Sequence, residues 1–327
     1  MSMIKQIANT RYPRYAKNIN IRRNYRNSIG NTPLVRIGDS RIYMKMEGHN
    51  PSGSIKDRPI NNMMDNICDS ELNNNTVCLV TSGSAGMSLY KLHNVIKENN
   101  ELNIDSLVVM PKRYASKCIP EKLIQMRDVK IHHSFDSVLK SQSNGTTQSF
   151  HVLLLDETFI NTLQATTTFV SPKKWILLDQ HHNLHCMDSH EKTASEIISK
   201  LPETTDVICT TGTGGTVSGL IKYLPDRVRV HARTCVSGEI EGLGDVGRYN
   251  NYCDTSTIEG YYECNYKLND AIRFQEKLNK DYKIKAGQST GASLWLANQI
   301  MGQGKNLKIV VISPDGILSE NSEVTKL

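Results

Sequence analysis

The 327-residue chain has few of the features that mark specialised proteins. Its aromatics amount to 6%, and nothing in their placement resembles a base-stacking module. Eight cysteines occur, at 68, 78, 118, 186, 209, 235, 253 and 264, without any C-x-x-C pair or regular spacing. That excludes a disulfide framework and a zinc ribbon; buried free thiols in a reducing, cytoplasmic setting fit better. Long apolar runs are missing too. The run 152–155 is far too short to span a bilayer, and no apolar core follows the N-terminal charges, so no secretory signal is expected. Acid is absent from the first 27 residues, which carry Lys5, Arg11, Arg14, Lys17, Arg22, Arg23 and Arg26. A nucleic-acid or membrane-surface arm is one reading of that segment. A solvated lead-in that packs on a partner subunit is the plainer one, because Tyr12, Pro13, Tyr15, Ile19 and Ile21 are interleaved. No nucleic acid and no membrane is expected as a partner.

What the chain has is alternation. Short β-branched runs at 41–47, 76–81, 106–110, 129–132, 206–211, 227–236 and 307–313 read as strands. Helical patterns lie between them, at 57–68, 85–97, 116–125, 190–201, 217–223, 268–278 and 291–300. The polar stretch 141–150 reads as a loop. Strand–helix repetition implies an α/β fold with mostly parallel twisted sheets flanked by helices. Ligands in such sheets bind beyond the carboxyl ends of the strands, so the loops after each strand matter most.

Three of these loops stand out. In 50–58, N-P-S-G-S-I-K-D-R, Lys56 sits where a helix begins. A cation facing the positive end of a helix dipole has a lowered pKa, which a Schiff-base lysine needs. A surface lysine is the commoner fate of that residue type. In 211–216, T-G-T-G-G-T, the glycines Gly212, Gly214 and Gly215 let the backbone approach an anion, and Thr213 and Thr216 add hydroxyls. No P-loop lysine follows, which disfavours a nucleoside triphosphate; a ligand-free glycine turn is the plain alternative. In 81–86, T-S-G-S-A-G, amides and hydroxyls at a helix start suit a carboxylate, though this signal is weak alone. Together the three loops call for a cofactor with both an aldehyde and a phosphate. Pyridoxal 5′-phosphate fits.

With these loops in view, the chain resembles the cysteine synthase/cystathionine β-synthase family of fold type II pyridoxal-phosphate enzymes. The likeness runs from G-N-T-P-L-V at 30–35 to I-V-V-I-S-P-D-G at 309–316. It takes in Met110-Pro111 with Ser116, and Asp179-Gln180 followed by Ser189-His190-Glu191. The resemblance implies two domains, a large one of residues 1–45 plus 181–327 and a smaller inserted one of 46–180. Lys56 would bind the cofactor's aldehyde and later move the substrate α-proton. Gly212, Thr213, Gly214, Gly215 and Thr216 would hold its phosphate. Thr81, Ser82, Gly83, Ser84 and Ala85, with Gln180, would grip the substrate carboxylate, and Gly242-Leu243-Gly244 would lie beside the cofactor ring. Ser289 would bond the pyridine nitrogen; a neutral hydroxyl there suits prompt loss of a β-leaving group.

The implied reaction is α-proton removal by Lys56, loss of a β-substituent from serine or an O-activated serine, and attack by sulfide or a thiol. Cysteine or a related β-substituted alanine would result, in a cytoplasmic homodimer. A β-eliminating lyase, a diaminopropionate-type synthase and a catalytically weakened sensor are the alternatives. The last is motivated by departures from the family pattern. Ser84 stands where the family has the asparagine that contacts the cofactor's 3′-oxygen, and Ala85 replaces a hydroxyl residue. The arginine and tyrosine expected after Gly316 are replaced by Ile317-Leu318-Ser319, and the connection from 236 to 242 is short. His181, His182, His185, Cys186 and His190 are dense enough to raise a metal site. They align with the family's loop after Gln180, so no metal is expected.

Overall fold

The computed structural model describes residues 20–99, 102–144, 148–156, 175–233, 268–302, 306–319 and 324–327. In chain order its strands are β1 (Leu34–Arg36), β2 (Ile42–Met46), β3 (Thr76–Val80), β4 (Asp105–Pro111), β5 (Val129–His132) and β6 (Phe150–Leu155). There follow β7 (Trp175–Leu177), β8 (Asp206–Thr210), β9 (Arg229–Arg233), β10 (Ile284–Lys285), β11 (Ile309–Ser313), β12 (Ile317–Leu318) and β13 (Thr325–Lys326). They form a six-stranded sheet of order β13-β1-β2-β11-β8-β9, a five-stranded sheet of order β5-β6-β4-β3-β7, and a small β10-β12 ladder.

All pairings in the five-stranded sheet are parallel. Its central strands are apolar on both faces: β4, D-S-L-V-V-M-P, and β6, F-H-V-L-L-L, are buried throughout. That is the signature of a parallel strand covered by helices on both sides. Edge strand β5 carries exposed Lys130 instead, which discourages further pairing. The Ser84–Glu98 helix lays Ala85, Leu89, Leu92 and Ile96, at helical spacing, into the same core as Leu79, Val108 and Phe150.

In the six-stranded sheet β2, β11, β8 and β9 run parallel; β1 pairs antiparallel with β2, and β13 antiparallel with β1. Strand β11 lies between β2 and β8. The loops leaving the carboxyl ends of β2 and β8 therefore start on either side of β11, at one edge of the sheet. These two loops carry Lys56 and the glycine–threonine turn.

Most expected elements sit within three residues of their predicted bounds. The exceptions have physical reasons. The supposed loop 141–150 begins as the last turns of a Phe135–Asn144 helix, whose Gln142 reaches Thr76 from a buried position. Strand β6, one of the most deeply buried, starts at Phe150. The predicted strand at 227–236 is observed from 229 to 233, and its remainder, with Gly242-Leu243-Gly244, lies outside the described residues. So do the basic residues before position 20. Arg26, on the Asn20–Asn27 helix, pairs with Asp65 of the same chain. Of the described cysteines, Cys78, Cys186 and Cys209 are buried thiols outside any disulfide, as expected, but Cys118 is exposed. No helix among the described residues is long and apolar enough to cross a membrane.

The five-stranded sheet buries histidines. His151 on β6 meets His132 on β5, Nδ1 to Nε2 at 3.0 Å, and His93 meets Ser106 Oγ at 3.0 Å. Burial pulls His93 and His151 down to about 4. An unfolded histidine titrates near 6.5, so their contribution is complete above that value and is lost as pH falls from 6.5 toward 4. Urea unfolding is therefore expected to show a stability loss of about 2 kcal/mol per histidine between pH 7 and pH 5. A flat profile over that interval contradicts the buried neutral rings.

Candidate active site

A cleft opens at the carboxyl edge of the six-stranded sheet. It is lined by Lys56, by Gly212, Thr213, Gly214 and Thr216, and by Ile312 and Pro314 at the end of β11. Two loops that are distant in sequence thus meet, as the topology requires.

The lysine loop is held tightly. Ile55 donates to the Pro314 carbonyl at 2.7 Å, joining it to the end of β11. Asp57 opens the Asp57–Asp65 helix and accepts from the Ser52 amide at 2.7 Å, so its carboxylate closes the turn. Ser52 Oγ in turn lies 2.9 Å from Ser88 Oγ, on the helix that follows the 81–85 loop. Lys56 itself caps the 57–65 helix without a side-chain hydrogen bond to it. Burial lowers its pKa, while Cys186 partly offsets the shift. A lowered lysine pKa enlarges the neutral, nucleophilic fraction.

The 212–216 turn is an anion cup. Gly214 caps the Gly215–Tyr223 helix at φ 90°, a left-handed conformation that glycine adopts without penalty. The first amides of a helix have no intrahelical acceptor and point out of its N-terminus, where the dipole favours negative charge. Thr216 adds a hydroxyl 3.1 Å from Nε2 of His190. The other ring nitrogen of His190 lies 3.2 Å from Thr193 Oγ1. Burial, and then the Arg58 charge, depress His190 to about 3, so the ring is neutral. Cys186 backs the cup: a Cβ on Gly215 would lie 3.4 Å from the Cys186 Cβ.

The remaining predicted residues are not among those that line this cleft. Gln180 donates from Nε2 to the Val80 carbonyl at 2.7 Å, which joins it to the end of β3 and the 81–85 loop. Thr81 Oγ1 accepts from the Gly83 amide at 3.2 Å. Ser82 is exposed and Ser84 half-buried at the helix start. Ala85 packs its methyl in the core, which leaves its backbone on offer to a ligand. Ser289 is buried in the first turn of the Gln288–Met301 helix.

Other groups were not anticipated. Asp315 accepts from the Gly287 amide at 3.0 Å and approaches Thr290, so a buried carboxylate flanks Ser289 on both sides. Burial raises its pKa. The dense histidine segment is dispersed: His182 reaches Asp179 at the surface, whereas His190 belongs to the cup. Among the described residues no group of three metal-ligating side chains is placed to hold an ion. Beneath the lysine loop, Lys45, Glu47, Arg58 and Glu196 form a buried cluster of charges. Its sequence signal was the pair Lys45 and Glu47 in the otherwise apolar run 42–47.

A depressed lysine across a cleft from an anion cup suits an aldehyde with a phosphate tail. The comparisons agree. The family model for pyridoxal-phosphate dependent enzymes matches residues 25–315, and the chain belongs to that family. It is 26% identical over 317 residues to a cysteine synthase from Aquifex aeolicus, covering 88% of this chain and 87% of that one. It is 26% identical to a cystathionine beta-synthase from Apis mellifera, covering 89% of this chain and 58% of the other. Among solved structures, a hydrogen sulfide-producing enzyme from Fusobacterium nucleatum superposes with a TM-score of 0.68 and 26% identity. That match covers 89% of this chain and 97% of that one. The protein is therefore a pyridoxal-phosphate-dependent enzyme with the fold type II architecture.

Gly214→Val forces a β-branched residue into the left-handed region at a cost of roughly 1–2 kcal/mol. Relief of that strain deforms the cup, and pyridoxal phosphate is expected to bind about tenfold more weakly, since 1.4 kcal/mol is a factor of ten. Absorbance titration checks this, with far-UV circular dichroism as the folding control. Unchanged affinity contradicts the cup.

Proposed function

We propose that the enzyme carries out β-replacement on serine or an O-activated serine, giving cysteine or a related β-substituted alanine. The observation that carries the reading is the meeting of Lys56 with the 212–216 turn across one cleft. The names of the Aquifex and Apis relatives support it. When bound, pyridoxal phosphate supplies an electron sink for the amino acid's α-carbon. The chain's own residues do the rest. Lys56 Nζ, its pKa lowered by burial, takes the α-proton and returns it. The 212–216 amides and the Thr216 hydroxyl hold the phosphate. Backbone groups and hydroxyls of Thr81, Ser82, Gly83, Ser84 and Ala85, with Gln180, orient the substrate carboxylate. Ser289 leaves the ring nitrogen uncharged. Sulfide or a thiol completes the exchange.

On this reading residues 46–180 form a smaller inserted domain bearing the carboxylate loop. Residues 1–45 and 181–327 form the larger domain, and the enzyme works as a cytoplasmic homodimer. Support for the division comes from the sheets: all strands of the five-stranded one lie between 76 and 177. A second reading, elimination without replacement, is supported by the likeness to the hydrogen sulfide-producing enzyme. Ser84 favours it as well, because a shorter side chain in the carboxylate loop holds the substrate less firmly.

Lys56→Ala is expected to remove the yellow colour of the reconstituted protein and to lower turnover by at least a thousandfold, in line with the loss of a nucleophile and proton carrier. Product analysis on the wild type, given O-acetylserine and then sulfide or several thiols, separates the two readings. Adducts with the added nucleophile support replacement. Pyruvate and ammonia alone assign the lyase, and a wild type that remains colourless with excess cofactor overturns both.

A further inference from the structure

Arg58 lies two positions beyond Lys56, in the first turn of the same helix, and is buried. Its fork is filled from two sides. Nε and Nη2 donate to Glu47 at 2.7 and 2.8 Å, and Nη1 and Nη2 donate to Glu196 at 2.9 and 2.8 Å. Lys45 Nζ lies 2.6 Å from Glu196 and also donates to Thr32. Glu47 accepts from Thr32 and Asn50. Gly30 leaves room for the cluster: a Cβ there would stand 2.7 Å from Glu196 Oε1 and 3.0 Å from Arg58 Nη1.

Two positive and two negative groups balance, but stability alone is a poor reason for the arrangement. Buried ion pairs are commonly matched or bettered by apolar residues of the same volume. What a doubly bidentate guanidinium adds is geometry, because its plane and both partners are fixed together. The partners also matter. Glu196 belongs to the Glu191–Lys200 helix, whose N-cap is His190. That histidine holds Thr216 of the cup. One short helix therefore grips the lysine element through Glu196 and the cup through His190.

We propose that Glu196 is a positioning residue: by holding Arg58 from the helix that presents His190 to Thr216, it sets the separation between the Lys56 amine and the anion cup. The idea rests on the cofactor reading above. A group that must touch both ends feels that separation; an anion that needs only the cup does not.

The test uses Glu196→Gln and the double variant Glu196→Gln/Lys45→Met, in which the charges of the cluster again sum to zero. Binding of pyridoxal phosphate is followed by absorbance, and binding of inorganic phosphate by calorimetry. Both variants are expected to bind pyridoxal phosphate at least tenfold more weakly and to form the lysine–cofactor bond at least tenfold more slowly. Inorganic phosphate is expected to bind within twofold of wild type. If both ligands weaken equally, or if neither variant folds, the cluster serves stability and the proposal is overturned. It is overturned too if both variants bind pyridoxal phosphate within twofold of wild type, while the cofactor reading stands. A wild type that takes up no pyridoxal phosphate instead removes that reading and this proposal with it.

Discussion

Arg58 sits between Glu47 and Glu196 with almost no access to water, and the site is built around that contact. Removing a guanidinium and two carboxylates from solvent is costly, and leaving any one of them unpaired costs about 3–5 kcal/mol. The three groups come from the turn after β2, the helix after Lys56 and the 191–200 helix. None of these elements can shift alone without exposing a partner. Arg58 answers with a raised affinity for its proton: burial opposes its charge, but both glutamates more than compensate. Glu47 is held well below the usual carboxylate range, burial again being outweighed by Arg58. Such a clamp is rigid because its charges have nowhere else to go.

The cleft itself has a different character. Lys56 lines it, and burial discourages its charge. His190 behind the cup is neutral, so the cup attracts an anion through backbone dipoles and hydroxyls instead of fixed positive charge. An anionic tail bound there supplies what the cup lacks, and burial of the Lys56 amine enlarges the neutral fraction that attacks a carbonyl. The amine and the cup are complementary to one molecule with both groups, more than to either group alone.

Much of this was legible in the residues. The strand runs at 41–47 and 206–211 ended where the turn residues of the two loops begin, so a parallel sheet put both loops at one edge. Lys56 and Gly214 follow from that placement. The legible parts share one cause: they depend on local pattern and on handedness rules that hold for every strand–helix–strand unit. What stayed hidden depends on contacts between elements far apart in sequence. Glu196 looks like an ordinary polar residue on a helix until Arg58, 138 positions away, is brought against it. The helix at 135–144 was missed because its long-range polar contact, Gln142 to Thr76, has no signal in a Ser- and Gln-rich stretch.

The central claim is that the amine of residue 56 carries the cofactor. Borohydride treatment of the yellow protein freezes that bond, and peptide mass mapping then locates it. The account predicts a phosphopyridoxyl group on the peptide containing Lys56 and on no other in stoichiometric amount. The same label on a different lysine, with Lys56 unmodified, contradicts it.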